Sequence, residues 1–121
     1  MKRIFTLSLV AVGLAFALSG CYRDYQEVNE QHWLSQERGE VVYSDSYCPY
    51  YIVRTFYGYQ VLYSFGGYRP YEGSIVYGNF SSYGTRDFYN HSTGRIFTAD
   101  VRDYWLSYYQ AQEAVFFYCD E

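Results

Sequence analysis

From residue 40 onward the chain is a succession of short, aromatic-rich runs, each cut off by a turn signal. This punctuation constrains the fold more than any other feature. Residues 50–56 (Tyr-Tyr-Ile-Val-Arg-Thr-Phe) and 59–65 (Tyr-Gln-Val-Leu-Tyr-Ser-Phe) flank Tyr57-Gly58. That arrangement predicts a two-residue hairpin pairing Phe56 with Tyr59, Arg54 with Val61, Ile52 with Tyr63 and Tyr50 with Phe65. Those residues share one aromatic-rich face. The other face carries Thr55 with Gln60, Val53 with Leu62 and Tyr51 with Ser64, so partial cover is expected on both sides. Residues 66–73 (Gly-Gly-Tyr-Arg-Pro-Tyr-Glu-Gly) read as a glycine-bounded loop, 74–80 as a strand and 81–84 as a turn. A second hairpin is expected over 85–90 and 95–101, across His91-Ser92-Thr93-Gly94. Strands spaced in this way imply an antiparallel meander.

The last segment changes period. Tyr104, Tyr108, Ala111, Val115 and Tyr118 form an apolar stripe at helical spacing, opposite Asp103, Ser107, Gln110 and Glu113. A helix over about 104–118 follows, with Asp100 and Asp103 placed to cap its start. The expected fold class is therefore α+β: a small antiparallel β-meander of four to five strands with a C-terminal helix packed on it. The alternative is a small all-β barrel with the last segment as a strand, because Val115-Phe116-Phe117-Tyr118 also has β character.

At the other end, Lys2 and Arg3 precede an apolar run over residues 4–18, broken only by Thr6, Ser8 and Gly13. Fifteen residues are too few for a permanent helix across a bilayer core of about 30 Å and suit the hydrophobic region of a signal peptide. Leu18-Ser19-Gly20-Cys21 follows and resembles the lipobox of bacterial lipoproteins. The resemblance covers residues 1–21 alone. It implies cleavage before Cys21, palmitate-type acyl chains on that cysteine, and a lipid-anchored protein of the bacterial cell envelope. Tyr22, where an Asp would favour retention in the inner membrane, implies delivery to the outer membrane. The chain then divides into a signal peptide (1–20), a lipidated N-terminus and polar tether (21–40) with one short helix near 27–34, and a Tyr-rich β-domain with the C-terminal helix (41–121).

With Cys21 given to lipid, Cys48 and Cys119 are left in an oxidising compartment, where a disulfide between them is the natural reading. The competing reading is a free reactive or metal-binding thiol. A single bond closing so long a loop would staple a domain too small to bury a large core. Without residues 1–20 the chain holds seven Arg, no Lys and 13 acidic residues, a net charge of −6, which argues against nucleic acid as a partner.

Motifs for catalysis are missing: there is no phosphate-cradling Gly-Lys-Ser/Thr loop, no dinucleotide fingerprint and no His-Glu-x-x-His. His32 and His91 have no second histidine or cysteine at ligand spacing, so neither a metal nor another cofactor is expected. Asn79-Phe80-Ser81 and Asn90-His91-Ser92 match the glycosylation acceptor pattern by chance. The candidate binding surface is the loop bearing Tyr68, Arg69 and Tyr71, with Tyr57 and Tyr83 on neighbouring turns, since Tyr and Arg are enriched at binding hot spots. The expectation is a non-enzymatic protein-interaction or accessory module held to the membrane by its lipid. The alternative is a carbohydrate- or peptidoglycan-binding module using those tyrosines, or else the same tyrosines fold back over a thin core.

Overall fold

In the computed structural model, which describes residues 28–120, every strand-forming run has a partner on both sides. The elements are α1 (Glu30–Leu34), β1 (Glu37–Ser44), β2 (Tyr50–Thr55), β3 (Gly58–Ser64), β4 (Ile75–Gly78), β5 (Gly84–Asn90), β6 (Arg95–Leu106) and α2 (Tyr108–Cys119). The six strands form a closed antiparallel barrel in the order β1-β2-β3-β6-β5-β4, with β4 paired back onto β1. This corrects the expectation of an open meander of four to five strands. Of the all-β alternative, the barrel is present, but the last segment is a helix and not a strand. Residues 1–20, read as a signal peptide, and Cys21 and Tyr22 lie outside the described residues.

Closure depends on residues 37–40, read from the sequence as tether. Glu37-Arg38-Gly39-Glu40 pairs with β4 through Glu37↔Gly78, Arg38↔Tyr77, Gly39↔Val76 and Glu40↔Ile75. No apolar alternation marks residues 37–40, because their buried position is Gly39; the apolar part of β1 begins at Val41. A Cβ on Gly39 would collide with Val53 Cγ1, and one on Gly78 would collide with the Phe88 ring. The two glycines leave that space to Val53 and Phe88. A closed barrel also leaves no sheet edge to aggregate.

The barrel interior holds Val41, Tyr51, Val53, Leu62, Val76, Phe80, Phe88, Phe97, Ala99 and Val101. Phe80, Phe88 and Phe97 stack in series, with centroids 4.7 and 5.7 Å apart. Outside the barrel, Ile52 and Val61 meet Ala111 and Val115 of α2, with Tyr50, Tyr59, Leu106 and Tyr118 around them. Both faces of the β2–β3 hairpin are thus covered, and the face expected to be more polar is the barrel interior. The pairing slips by two residues from the expected register: Ile52 faces Val61 and Thr55 faces Gly58, with Phe56-Tyr57 as the turn. A two-residue slip keeps every side chain on its face. Gly58, at φ 128°, permits it.

The helix starts later than its apolar stripe suggested, because β6 continues to Leu106. Ser107 then caps α2 in a reciprocal box: Gln110 N–H donates to Ser107 Oγ (3.1 Å), and Ser107 N–H donates to Gln110 Oε1 (2.9 Å). Asp100 and Asp103 do not cap. Asp100 pairs with Arg102, and Asp103 accepts a 2.9 Å hydrogen bond from the Tyr118 hydroxyl. At its far end α2 is bonded to the β1–β2 loop through the Cys48–Cys119 disulfide, whose Cα atoms are 5.7 Å apart.

Tyr51 is fully buried, and its hydroxyl has no hydrogen-bond partner among the described residues. Burial drives its pKa far above the ordinary tyrosine value. Tyr43 and Tyr118 are also raised, first by burial and then by Asp45 and Asp103 respectively. A raised folded-state pKa stabilises the fold below the unfolded value, about pH 10, and that contribution is lost as pH climbs through the folded value. Alkaline unfolding above about pH 10 is therefore expected. Tyr51→Phe is expected to raise stability at neutral pH by about 1 kcal/mol, since an orphaned buried hydroxyl is removed. It is also expected to move the alkaline midpoint upward. Urea melts at neutral pH and circular dichroism between about pH 9 and 12 check both; a destabilised variant would show that the hydroxyl has a partner.

Candidate functional site

Strand order gives the barrel two distinct ends. At the turn end lie the β2–β3 turn, the 79–83 loop and the β6–α2 junction. At the loop end lie the β1–β2 loop, the long 65–74 connection and the β5–β6 turn. The five residues expected to form one binding surface are divided between these ends.

Tyr68, Arg69 and Tyr71 are at the loop end. Tyr68 is half-buried: its ring packs on Phe97 at 5.4 Å, the Arg95 guanidinium sits 3.9 Å from its centroid, and its hydroxyl accepts from Asn90 Nδ2 at 3.0 Å. It plugs the barrel, as in the reading in which the tyrosines fold back over the core. Arg69 donates to the carbonyls of Cys48 and Ser46, both at 3.0 Å, and so clamps the long loop to the β1–β2 loop. Tyr71 alone projects freely, beside an open groove of about 990 Å³ lined by Tyr43, Asp45, Tyr68, Arg69, Tyr71 and Arg95. His91 at this end faces Glu30 at 3.0 Å, and the hydroxyl of its neighbour Ser92 accepts from Ile75 N–H, so the two are engaged structurally. Among the described residues no three His, Cys, Asp or Glu side chains converge on a metal position.

Tyr57 and Tyr83 belong to an aromatic ribbon at the turn end. Phe56 abuts Tyr57 (5.4 Å), and Tyr57 stacks on Trp105 (5.6 Å, planes 29° apart). Trp105 meets Tyr104 edge-on (5.6 Å), and Tyr104 meets Tyr83 (4.8 Å). Most of the ribbon is open to solvent: Phe56 is 94% exposed, Tyr57 57%, Trp105 56% and Tyr83 65%. Trp105 has φ 59°, the left-handed region that a bulky side chain rarely occupies. Its indole N–H donates to Ser81 Oγ at 2.8 Å, and that hydroxyl donates to Glu37 Oε2 at 2.9 Å. The loop bearing Ser81 is fastened in turn by Arg86, which donates to the carbonyls of Asn79 (2.9 Å), Ser82 (2.8 Å) and Tyr83 (2.7 Å). Beside the ribbon is a cleft of about 290 Å³ lined by Ser35, Gln36, Glu37, Arg38, Thr55, Phe56 and Tyr57.

Sequence reasoning missed Trp105, Tyr104 and Phe56. Trp105 and Tyr104 fell in or beside the expected helix, and Phe56 in the expected strand. The one signal available was chemical, since Trp105 is one of only two tryptophans in the chain.

A third exposed aromatic surface lies on the outside of α2. Tyr109, Phe116 and Phe117 are 67%, 74% and 68% exposed, while Ala111 and Val115 face the barrel. Compared with family models, curated proteins and solved structures, the chain matches none.

Proposed function

We propose that the protein is a lipid-anchored, non-catalytic module of the bacterial cell envelope, held at the outer membrane through Cys21, that docks another envelope protein on the outer face of α2. The observation that carries this reading is the run of large aromatics at Tyr109, Phe116 and Phe117, left in solvent on the only long helix among the described residues. Contiguous exposed apolar surface of this kind marks interaction sites, and residues at i, i+7 and i+8 suit a helix lying in a partner's groove. The capping box at one end and the disulfide at the other hold the helix rigid, which lowers the ordering cost of docking. Glu113 and Asp120 frame the aromatics with negative charge, so the partner's rim is expected to be basic.

Geometry also favours a face turned away from the membrane. The chain joins the domain through α1, which lies on the β4–β5 wall with Trp33 stacked on Tyr89 (6.2 Å), whereas α2 covers β2, β3 and β6 on the opposite side. A photo-reactive residue in place of Phe116 is expected to crosslink one partner in intact envelopes. With the photo-reactive residue placed at Tyr109 instead, Phe116→Ala/Phe117→Ala should abolish the adduct while changing stability by about 0.5 kcal/mol or less, as for exposed positions generally. An adduct of twice the protein's own mass would reassign the face to self-association. Absence of any discrete adduct from positions 109, 116 and 117 in folded protein would remove the proposal. Amine-directed crosslinkers are unsuitable, because no lysine follows residue 2.

A further inference from the structure

We infer that the turn end of the barrel is a glycan-binding site, with Trp105 and Tyr57 as its stacking platform and the Gln36–Arg38 cleft as its polar wall. This site is separate from the α2 face and does not depend on it. A pyranose ring presents an apolar C–H face and a rim of hydroxyls, so its receptor needs exposed aromatic faces with hydrogen-bonding groups alongside. The turn end supplies both. Tyr57 and Trp105 lie 29° from parallel and more than half exposed, and the cleft beginning at Phe56 and Tyr57 is lined by Ser35, Gln36, Glu37, Arg38 and Thr55. At about 290 Å³ the cleft is near the lower limit for small-molecule sites, the scale of a sugar unit rather than of a protein surface.

Two further observations point to a ligand rather than to packing. Trp105 is held at φ 59°, in the left-handed region that glycine would occupy without strain. Such conformations persist where surroundings over-determine them, and they gather at binding sites. Here the surroundings are the Trp105–Ser81–Glu37 hydrogen-bond relay and the Arg86 clamp beneath it. The strain is spent on keeping a tryptophan ring in solvent, which gains the core nothing. The charge of the cleft selects among sugars. Glu37 and Arg38 line it together and leave it without net charge, which favours uncharged hexose or N-acetylhexosamine units over acidic polysaccharide.

A lipid surface is the less favoured occupant. The wall beside the rings is polar, formed by Ser35, Gln36, Glu37 and Arg38, and acyl chains would leave those groups unpaired where sugar hydroxyls would pair them.

The test uses the full chain in detergent micelles, titrated calorimetrically with the β-1,4-linked hexasaccharides of N-acetylglucosamine and of glucose, against a detergent blank. Saturable binding of at least one is expected. Trp105→Gly and Tyr57→Ala should each weaken it by about tenfold or more. Trp105→Gly is the informative variant, because glycine adopts φ 59° freely and the melting temperature should not fall. Ser81→Ala, which breaks the relay, should weaken binding less and shift Trp105 emission in a Trp33→Phe background. Phe116→Ala/Phe117→Ala should leave glycan binding unchanged, so that this site and the α2 face can fail separately. No saturable binding by folded protein overturns the assignment, as does binding that Trp105→Gly leaves intact. Trp105-dependent binding to anionic phospholipid vesicles without binding to either sugar would overturn it in favour of a membrane contact.

Discussion

Reducing the Cys48–Cys119 bond is expected to cost the domain about 4 kcal/mol and to lower its melting temperature by roughly 15–30 °C. The two cysteines are 71 residues apart in sequence, and the closed loop contains β2 to β6 and nearly all of α2. Opening it restores the unfolded chain a large conformational freedom, and a domain of this size has few other reserves. Locally, α2 is fully buried only at Ala111 and Val115, with Tyr118 held by its hydrogen bond to Asp103. Two small apolar anchors are worth a few kcal/mol at most, so α2 should detach before the barrel opens. Calorimetry with and without reductant, repeated on Cys48→Ser/Cys119→Ser, gives the total. Hydrogen exchange should show α2 amides losing protection first. A drop of less than about 5 °C would mean that the unfolded chain is already compact enough to gain little from the crosslink.

Phe88→Ala is expected to cost about 3–5 kcal/mol, enough to consume much of the 5–15 kcal/mol typical of a whole domain. Phe88 is completely buried, stacked between Phe80 and Phe97, and its ring fills the space that Gly78 leaves open on the opposing strand. The walls around it belong to a closed set of strands and cannot collapse inward, so the cavity term should be near its upper range. Phe88→Leu keeps most of the volume and should cost no more than about 1.5 kcal/mol. Urea unfolding of both variants at constant m-value measures the difference. A Phe88→Ala loss below about 1 kcal/mol would show that the barrel wall does collapse onto the vacated space.

The parts of this fold that were legible in the sequence are those whose signal is local. The runs over 50–55, 59–64, 85–90 and 95–101 are all strands, the hairpin across His91–Gly94 is present, and a helix does follow near the C-terminus. The disulfide is also as expected. The failures each have one identifiable residue behind them. Gly39 hid the first half of β1, because that buried position has no side chain to register as apolar, and without residues 37–40 the sheet could not be seen to close. Gly58 joined β3 instead of the turn and slipped the hairpin by two. The aromatics at 104 and 105 fit a helical stripe and a strand equally well, and the Ser107–Gln110 box settled where the helix begins.

The candidate site divides along the same line. The sequence marked Tyr57, Tyr68, Tyr71 and Tyr83 as a candidate surface without showing which rings face out; Tyr57, Tyr71 and Tyr83 are exposed. Nothing local, though, distinguished Tyr68, which plugs the barrel, from Tyr57, which stacks on Trp105 in solvent. The strands from residue 50 onward, the hairpin order and the Cys48–Cys119 pair were legible in the sequence alone, because propensity and turn chemistry act through neighbouring residues and the pairing follows once Cys21 is read as lipidated. Closure of the barrel, the direction each tyrosine faces and the meeting of Phe56, Tyr57, Tyr83 and Trp105 were decided only by tertiary structure. They depend on contacts between residues far apart in the chain, and on the space that glycines at 39 and 78 leave for other side chains to fill.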